Sequence, residues 1–179
     1  MISVFTVPAP SFTKLQIKQI LQSKFNLSGC VKNLYGDRDQ NFLIKTKKLR
    51  YILKIFNIEE KINIIDVQDS AINHIRRKDS DILVPLTIDH KRINQNGKTY
   101  TFKLLEYLEG EFLHEKTMSL QDYTNMGSFM GKLSTALIDF NHKAAHRSFA
   151  WDCRQTSILK TNLNFIDSNT KQNTILFSK

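Results

Sequence analysis

Residues 51–55 read Tyr51-Ile52-Leu53-Lys54-Ile55, a run of β-forming residues in which one lysine stands among apolar neighbours. A similar run at residues 41–46 precedes it, and the mostly charged residues 47–50 between the two runs are typical of a hairpin connection. From about Glu59 to Arg76 apolar residues recur mostly at steps of three or four, which predicts an amphipathic helix. Two neighbouring strands followed by such a helix indicate an α+β fold.

Elements on both sides extend this arrangement. Thr13 and Gln16 have the form of a helix-capping box, and Asn96-Gly97 is a dipeptide that favours a tight hairpin turn. An acidic start at Glu59-Glu60 and a basic end at residues 76–78 suit the dipole of the central helix. The remaining predicted bounds are 14–24 for the first helix, 30–35 for the first strand, and 84–88 and 100–105 for the last two strands.

After Gly110 the pattern becomes helical. Ser119 and Asp122 resemble a capping pair, and the apolar spacing that follows predicts a long helix to about Asn141. The order of elements therefore predicts a five-stranded antiparallel sheet with one packed helix, followed by further helices. We expect one lobe over residues 1–108, and over residues 109–179 a hinge and the helical start of a second lobe.

The composition is that of a globular protein, with 41% apolar and 24% charged residues in a chain of 179. Apolar runs are shorter than the ~18 residues of a membrane span, and the first residues lack the features of a secretory signal, so we expect a cytoplasmic protein without a membrane partner. Cys30 and Cys153 are too few for a disulfide or metal framework. The formal charge of +9 would suit a nucleic-acid partner, but the basic residues are scattered, which disfavours that class.

Lys54 is the first candidate for chemistry, because an ammonium group in an apolar strand is costly unless an anion meets it. A third-strand lysine followed by a helix is how kinase-like folds hold the α- and β-phosphates of a nucleotide. The preceding turn, residues 36–42, has no glycine-rich phosphate loop, so a phosphate grip would use backbone amides and the side chains of Arg38, Gln40 and Asn41. The structural alternatives are an outward-facing strand lysine and an ordinary hairpin.

The helix after Lys54 lacks, near its middle, the glutamate with which kinases orient this lysine. It offers Asp66 and Gln68 instead. Gln68 can accept a lysine hydrogen bond but brings no charge, so it would orient the ammonium less strongly than a carboxylate. For both side chains a solvated helix face is the structural alternative.

Several segments together resemble the amino-terminal half of the aminoglycoside phosphotransferase-like small-molecule kinases, and among them most of all the hydroxylysine kinase branch. These segments are residues 36–42, 51–55, 65–71, 84–85, 104–110, 145–147 and 150–152. The resemblance spans about residues 12–152. It implies a protein-kinase-like N-lobe, followed by helices that start an incomplete C-lobe.

The resemblance also implies a nucleotide site for ATP or GTP with Mg²⁺, and a small amino-alcohol as the phosphoryl acceptor. Within it Lys54 would contact the phosphates, and Gln68 matches the helix position of the usual glutamate. The loop above the phosphates would contain Asp39, Asn41 and Phe42, and the hinge that binds adenine would be the backbone of Glu106, Tyr107 and Leu108.

The same resemblance implies a His-Gly-Asp catalytic loop followed by an asparagine, and an Ile-Asp-Phe-Gly-type metal aspartate, and the 179 residues contain neither. Ile138-Asp139-Phe140 is followed by Asn141 in place of the glycine and lies inside the predicted long helix. We therefore assign no catalytic residue and no metal ligand, and expect an incomplete kinase with negligible phosphoryl transfer by itself. The alternative is a non-catalytic module that pairs with a partner chain supplying the missing lobe.

Overall fold

The computed structural model describes residues 7–147, apart from the side chain of His114. One five-stranded antiparallel sheet forms the centre of this part of the chain. The strands lie in the order β1-β2-β3-β5-β4. Their bounds are Cys30–Leu34, Gln40–Lys45, Arg50–Ile55, Thr87–Gln95 and Lys98–Glu106, and the α-helices are α1, Lys14–Phe25, α2, Ile62–Lys78, and α3, Leu120–Ala136. The chain divides into two units at residue 145, and all these elements belong to the first.

The two capping boxes predicted from the sequence are confirmed. The Thr13 hydroxyl accepts a hydrogen bond from the Gln16 backbone N–H at the start of α1, and Ser119 and Asp122 form the equivalent pair at the start of α3. Each pair satisfies backbone donors that have no partner within the helix. Helix α1 ends where Asn26 takes a left-handed conformation with φ 52°.

The β4–β5 hairpin has the predicted turn but a different first strand. Asn96 and Gly97 both have positive φ, as a tight hairpin turn requires. However, β4 runs over Thr87–Gln95, whereas the sequence predicted a strand at residues 84–88. The prediction was misplaced because β4 is an edge strand with exposed and partly exposed charged residues, and such residues do not register as β-formers.

Helices α2 and α3 also differ from expectation at one end each. Helix α2 begins at Ile62, so Glu59-Glu60 lies before its first turn, while the predicted basic last turn is present. Helix α3 ends at Ala136 rather than near Asn141. The chain turns there towards α2, with the Phe140 N–H donating to the Leu137 carbonyl oxygen, so the Ile138-Asp139-Phe140 motif follows the helix instead of lying within it.

The two faces of the sheet carry different helices. Apolar side chains of α1, of which Ile17 and Leu21 are almost fully buried, pack on alternate residues of the central strands such as Phe42 and Leu53. Lys54, the neighbour of Leu53, therefore projects to the opposite face, because successive strand residues alternate. Helix α2 covers that opposite face. A smaller apolar cluster, Ile75, Ile82 and Ala136, joins the end of α2 to α3.

These observations establish the predicted α+β class, a five-stranded antiparallel sheet with packed helices. The division into lobes at residue 108 stays a prediction. No helix within residues 7–147 is long and apolar enough to cross a bilayer.

Candidate functional site

A polar row crosses the sheet on the face covered by α2. The register places Asn41 opposite Lys54, Lys54 opposite Lys103, and Lys103 opposite His90. Directly opposite residues of antiparallel strands project to the same face, so these four side chains share one surface. The adjacent row, which contains Phe42, projects into the α1 core instead.

The ammonium of Lys54 lies beside the turn that precedes β2. Its Nζ is 2.7 Å from Asp39 Oδ2, and the two side chains are 29% and 20% exposed. The same Nζ is 5.1 Å from the centroid of the Phe56 ring, a distance at which a cation is attracted to an aromatic face. Lys54 and the turn at residues 36–42 therefore meet.

The carboxylate of Asp39 is held from a second side. Its Oδ1 accepts a 2.8 Å hydrogen bond from the backbone N–H of Asn57, just beyond the end of β3. Asn57 is itself buried, and its side-chain amide donates to the backbone carbonyl of Arg38 at 3.3 Å. Asp39 is thus fixed between the strand end and the ammonium of Lys54.

Gly36 allows the turn to fold this tightly. A Cβ at this position would lie 2.2 Å from the Asp39 carbonyl oxygen and 2.7 Å from Asn41 Nδ2. Asn41 Nδ2 donates to the Tyr35 carbonyl oxygen at 3.2 Å, which closes the turn. No other amino acid leaves room for this approach.

Other polar side chains of the turn are engaged inside the protein. Gln40 exchanges two hydrogen bonds with the backbone of Phe12, of 2.8 and 2.9 Å, and Arg38 lies 3.4 Å from Glu60. Phe42 is fully buried on the α1 face, so it could reach a ligand only through its main chain. These side chains position the turn on the sheet, beside the partly exposed ammonium of Lys54.

A second ion pair on the same face was missed by sequence reasoning. Lys103 Nζ lies 2.8 Å from Asp69 Oδ1, and the Lys103 side chain is only 3% exposed. Asp69 also accepts a 2.5 Å hydrogen bond from the Thr87 hydroxyl. One feature of the sequence could have indicated this ion pair. Lys103 stands in the β-forming run 100–105 as one lysine among mostly apolar residues, the same pattern as around Lys54.

Gln68, the residue matched to the kinase glutamate, is exposed on α2. Its side chain forms neither a hydrogen bond nor an ion pair with another residue of the described range 7–147. The acidic side chain of α2 that reaches the sheet is the next residue, Asp69, and its partner is Lys103 rather than Lys54. A role of Gln68 in orienting Lys54 stays a prediction.

The predicted hinge follows β5. The Glu106 N–H donates to the Leu86 carbonyl oxygen at 2.9 Å, and its carboxylate accepts from the Leu86 N–H at 3.1 Å. Tyr107 and Leu108 follow the last residue of β5. The guanidinium of Arg50 lies 4.5 Å from the centre of the Tyr107 ring and pairs with Glu109, which holds this segment on β3.

Asp139, in the motif that mimics a metal aspartate, forms an ion pair with Lys78 and a hydrogen bond with His74 instead. Its oxygens lie 2.5 Å from Lys78 Nζ and 3.0 Å from His74 Nε2. The hydrogen bond from Lys78, with that from His74 second, holds the pKa of Asp139 below its usual value. In the described part of the chain no three His, Cys, Asp or Glu side chains are grouped as metal ligands. Cys153 and residues 150–152 lie outside that part.

The sequence of this chain is similar to that of known kinases. No protein-family model matches the chain. Hydroxylysine kinase of Mus musculus is 25% identical over 177 aligned positions, which cover 84% of this chain and 46% of the relative. Hydroxylysine kinase of Bos taurus is 25% identical over 186 positions, covering 89% and 49%. The chain therefore spans about half the length of these curated relatives.

Solved structures agree on the fold. A microcompartment-associated aminopropanol kinase superposes with a TM-score of 0.59 at 17% identity, covering 78% of this chain and 45% of that one. A thermostable mutant of an aminoglycoside phosphotransferase superposes with a TM-score of 0.51 at 14% identity, covering 69% and 39%. Together the matches confirm the resemblance to the aminoglycoside phosphotransferase-like small-molecule kinases and, among them, to hydroxylysine kinases.

Proposed function

We propose that this chain provides the nucleotide-binding part of a small-molecule kinase of the hydroxylysine kinase type. The observation that carries the proposal is the partly exposed ammonium of Lys54, which already holds an anionic oxygen of Asp39 at 2.7 Å on the α2 face of the sheet. The similarity to hydroxylysine kinases supports this reaction class.

The ammonium of Lys54 suits a phosphate oxygen. Carboxylate and phosphate oxygens accept the same charge-assisted hydrogen bond from a lysine, so a phosphate could replace or share the Asp39 contact. The Lys54 side chain is 29% exposed, whereas that of Lys103 is nearly inaccessible. Of the two lysines on this face, Lys54 is therefore the one that can meet a ligand.

The hinge offers groups for a nucleotide base. Tyr107 and Leu108 lie just beyond the end of β5, and main-chain N–H and C=O groups in such a segment can bind the polar edge of a base. Arg50 holds the Tyr107 ring and so stabilises the segment. Glu106 contributes less, since its N–H already donates to Leu86.

The bound nucleotide, ATP or GTP with Mg²⁺, would supply the phosphoryl group, and the acceptor would be a small amino-alcohol. Residues of this chain would hold the phosphates at Lys54 and the base at residues 107–108. Transfer also needs a catalytic loop and a metal aspartate, which the 179 residues do not contain. We therefore propose that this chain alone does not transfer phosphate at a measurable rate.

Calorimetric titration of the full chain with ATP and Mg²⁺ tests the site. We expect the native chain to bind ATP and Lys54→Met to lose at least about tenfold in affinity, the usual effect of removing a charge-assisted hydrogen bond. Lys32→Met is the matched control, because Lys32 is an exposed lysine on β1. Equal affinities of the native chain and Lys54→Met would refute the assigned site.

A second candidate function, a module that pairs with a chain supplying the rest of the kinase fold, is favoured by the surface of α3. Five large apolar side chains of this helix are each more than a third exposed, and they are Leu120, Tyr123, Met126, Phe129 and Met130. An apolar helix face of this kind commonly marks an interface. This chain can be co-expressed with a chain that supplies the rest of the kinase fold, and the mixture sedimented at concentrations from about 1 to about 100 µM. We expect a heterodimer, and we expect Met130→Glu to weaken it. A monomer at every concentration would exclude this function.

A further inference from the structure

Lys54 and Lys103 are neighbours on one face of the sheet. They occupy directly opposite positions on β3 and β5, where like charges destabilise each other. Both ammonium groups lie against the Phe56 ring, at 5.1 and 5.5 Å from its centroid. Each ammonium nevertheless has its own carboxylate, Asp39 for Lys54 and Asp69 for Lys103.

We propose that Lys103 is a positioning residue that occupies Asp69 and thereby keeps the Lys54 ammonium directed to the Asp39 turn. The effect of Lys103 on nucleotide affinity rests on the proposed function. The arrangement of the two ion pairs does not depend on that function.

Burial decides which lysine takes which carboxylate. The Lys103 side chain is 3% exposed and cannot turn to solvent, so its ammonium needs Asp69 and also approaches the Ile65 carbonyl oxygen at 3.4 Å. Lys54 is 29% exposed and can take a partner at the edge of the sheet. Lys103 and the Thr87 hydroxyl both contact Oδ1 of Asp69, so the charge of this carboxylate is already compensated and attracts Lys54 less.

Removing the Lys103 charge should therefore redirect Lys54. In Lys103→Met the carboxylate of Asp69 loses its cation, and the ammonium of Lys54, directly across on β3, lies on that face beside the same Phe56 ring. Lys54 would then move from Asp39 to Asp69, away from the turn that we assign to the phosphates. A loss of ATP affinity in Lys103→Met would then come from the changed direction of the Lys54 side chain and not from unfolding of the protein.

The partner of Lys54 can be read in the full chain without nucleotide, by ¹⁵N NMR of lysine ammonium groups. In the native background we expect Asp39→Asn, but not Asp69→Asn, to shift the Lys54 signal. In Lys103→Met the two responses should exchange. Lys103→Gln keeps a donor to Asp69 without the charge, should show the same exchange, and replaces Lys103→Met if that variant does not fold. A Lys54 signal that still responds to Asp39→Asn alone would overturn the proposal.

Calorimetry with ATP separates positioning from structure. We expect Lys103→Met to weaken ATP binding about tenfold and the double variant Asp69→Leu with Lys103→Met to return it to within about threefold of native, because the competing carboxylate is gone. Lys91→Met, which removes an exposed strand lysine paired with Asp89, should leave affinity unchanged. A double variant as weak as Lys103→Met would overturn the proposal. Absence of ATP binding by the native chain would instead refute the proposed function and leave the NMR test standing.

Discussion

The ammonium of Lys54 and the carboxylate of Asp39, 2.7 Å apart, join the third strand to the turn before the second. Since the other oxygen of Asp39 accepts from the Asn57 N–H, the carboxylate cannot leave without loosening the turn. A phosphate approaching Lys54 therefore meets a fixed negative charge as well as the positive one.

Asp39→Asn should strengthen ATP binding by about three- to tenfold, because it removes that like charge while the amide oxygen can still accept from Asn57. Calorimetric titration with ATP checks the change. Asp37→Asn, an exposed aspartate in the same turn, is the control and should have little effect. Weaker binding by Asp39→Asn would mean that the charge of Asp39 supports the site and does not compete with the phosphate.

Gly36→Ala should destabilise the protein by about 2 kcal/mol, the usual cost of inserting a methyl group into a packed space. The added Cβ would lie 2.2 Å from the carbonyl oxygen of Asp39, a main-chain atom that cannot move aside as the end of a flexible side chain could. Urea denaturation followed by circular dichroism measures the loss. Gly110→Ala is the matched control, since a Cβ added there would have nothing within 4 Å. Equal midpoints for the two variants would contradict the close packing of the turn.

Lys103→Met should cost about 3 kcal/mol of folding free energy, because it leaves the Asp69 carboxylate without its cation in a mostly buried place. The double variant Asp69→Leu with Lys103→Met should recover most of that loss, since apolar side chains can replace a buried ion pair. Lys91→Met breaks an exposed pair and should cost less than about 0.5 kcal/mol. Similar losses for Lys103→Met and Lys91→Met in urea denaturation would refute the importance of the buried pair.

Acid should weaken α3 through Asp122. Hydrogen bonds from Lys116, first, and from Ser119 hold the pKa of Asp122 well below its usual range. A carboxylate with a lowered folded-state pKa stabilises the protein above its unfolded pKa of about 3.9, and this stabilisation is lost as the pH falls through the folded value. The native urea midpoint should therefore fall more between pH 6 and pH 3 than that of Asp122→Asn.

Asp66→Asn, which removes an exposed carboxylate on α2, is the control. Its urea midpoint should fall between pH 6 and pH 3 by as much as that of the native chain. Parallel pH curves for the native chain and Asp122→Asn would show that the capping carboxylate carries no pH-dependent stability.

Local signals in the sequence predicted most elements. The capping boxes at Thr13 and Ser119 and the positive-φ turn at Asn96-Gly97 act between residues close in the chain, so they could be recognised without the fold. Predictions were wrong where a distant partner intervenes. The charged strand β4 exists because it pairs with β5 at the edge of the sheet.

Part of the candidate site could likewise be predicted from the sequence, and part could not. Lys54 beside the polar turn could be inferred because β2 and β3 are consecutive strands, and the contact with Asp39 follows from their pairing. Asp69 and Lys103 could not be paired in advance, since α2 and β5 are separate elements whose meeting depends on the packing of the whole sheet.

By itself the sequence determined where the chain forms helices, strands and turns, and that a lysine on the third strand needs an anion, because propensity, capping and the cost of a charge among apolar residues are local properties. Only the tertiary structure decided which anion each lysine meets. The insertion of β5 beside β3 sets Lys103 opposite Lys54, and burial under α2 then gives Asp69 to the lysine that cannot reach water and leaves Asp39 to the one that can.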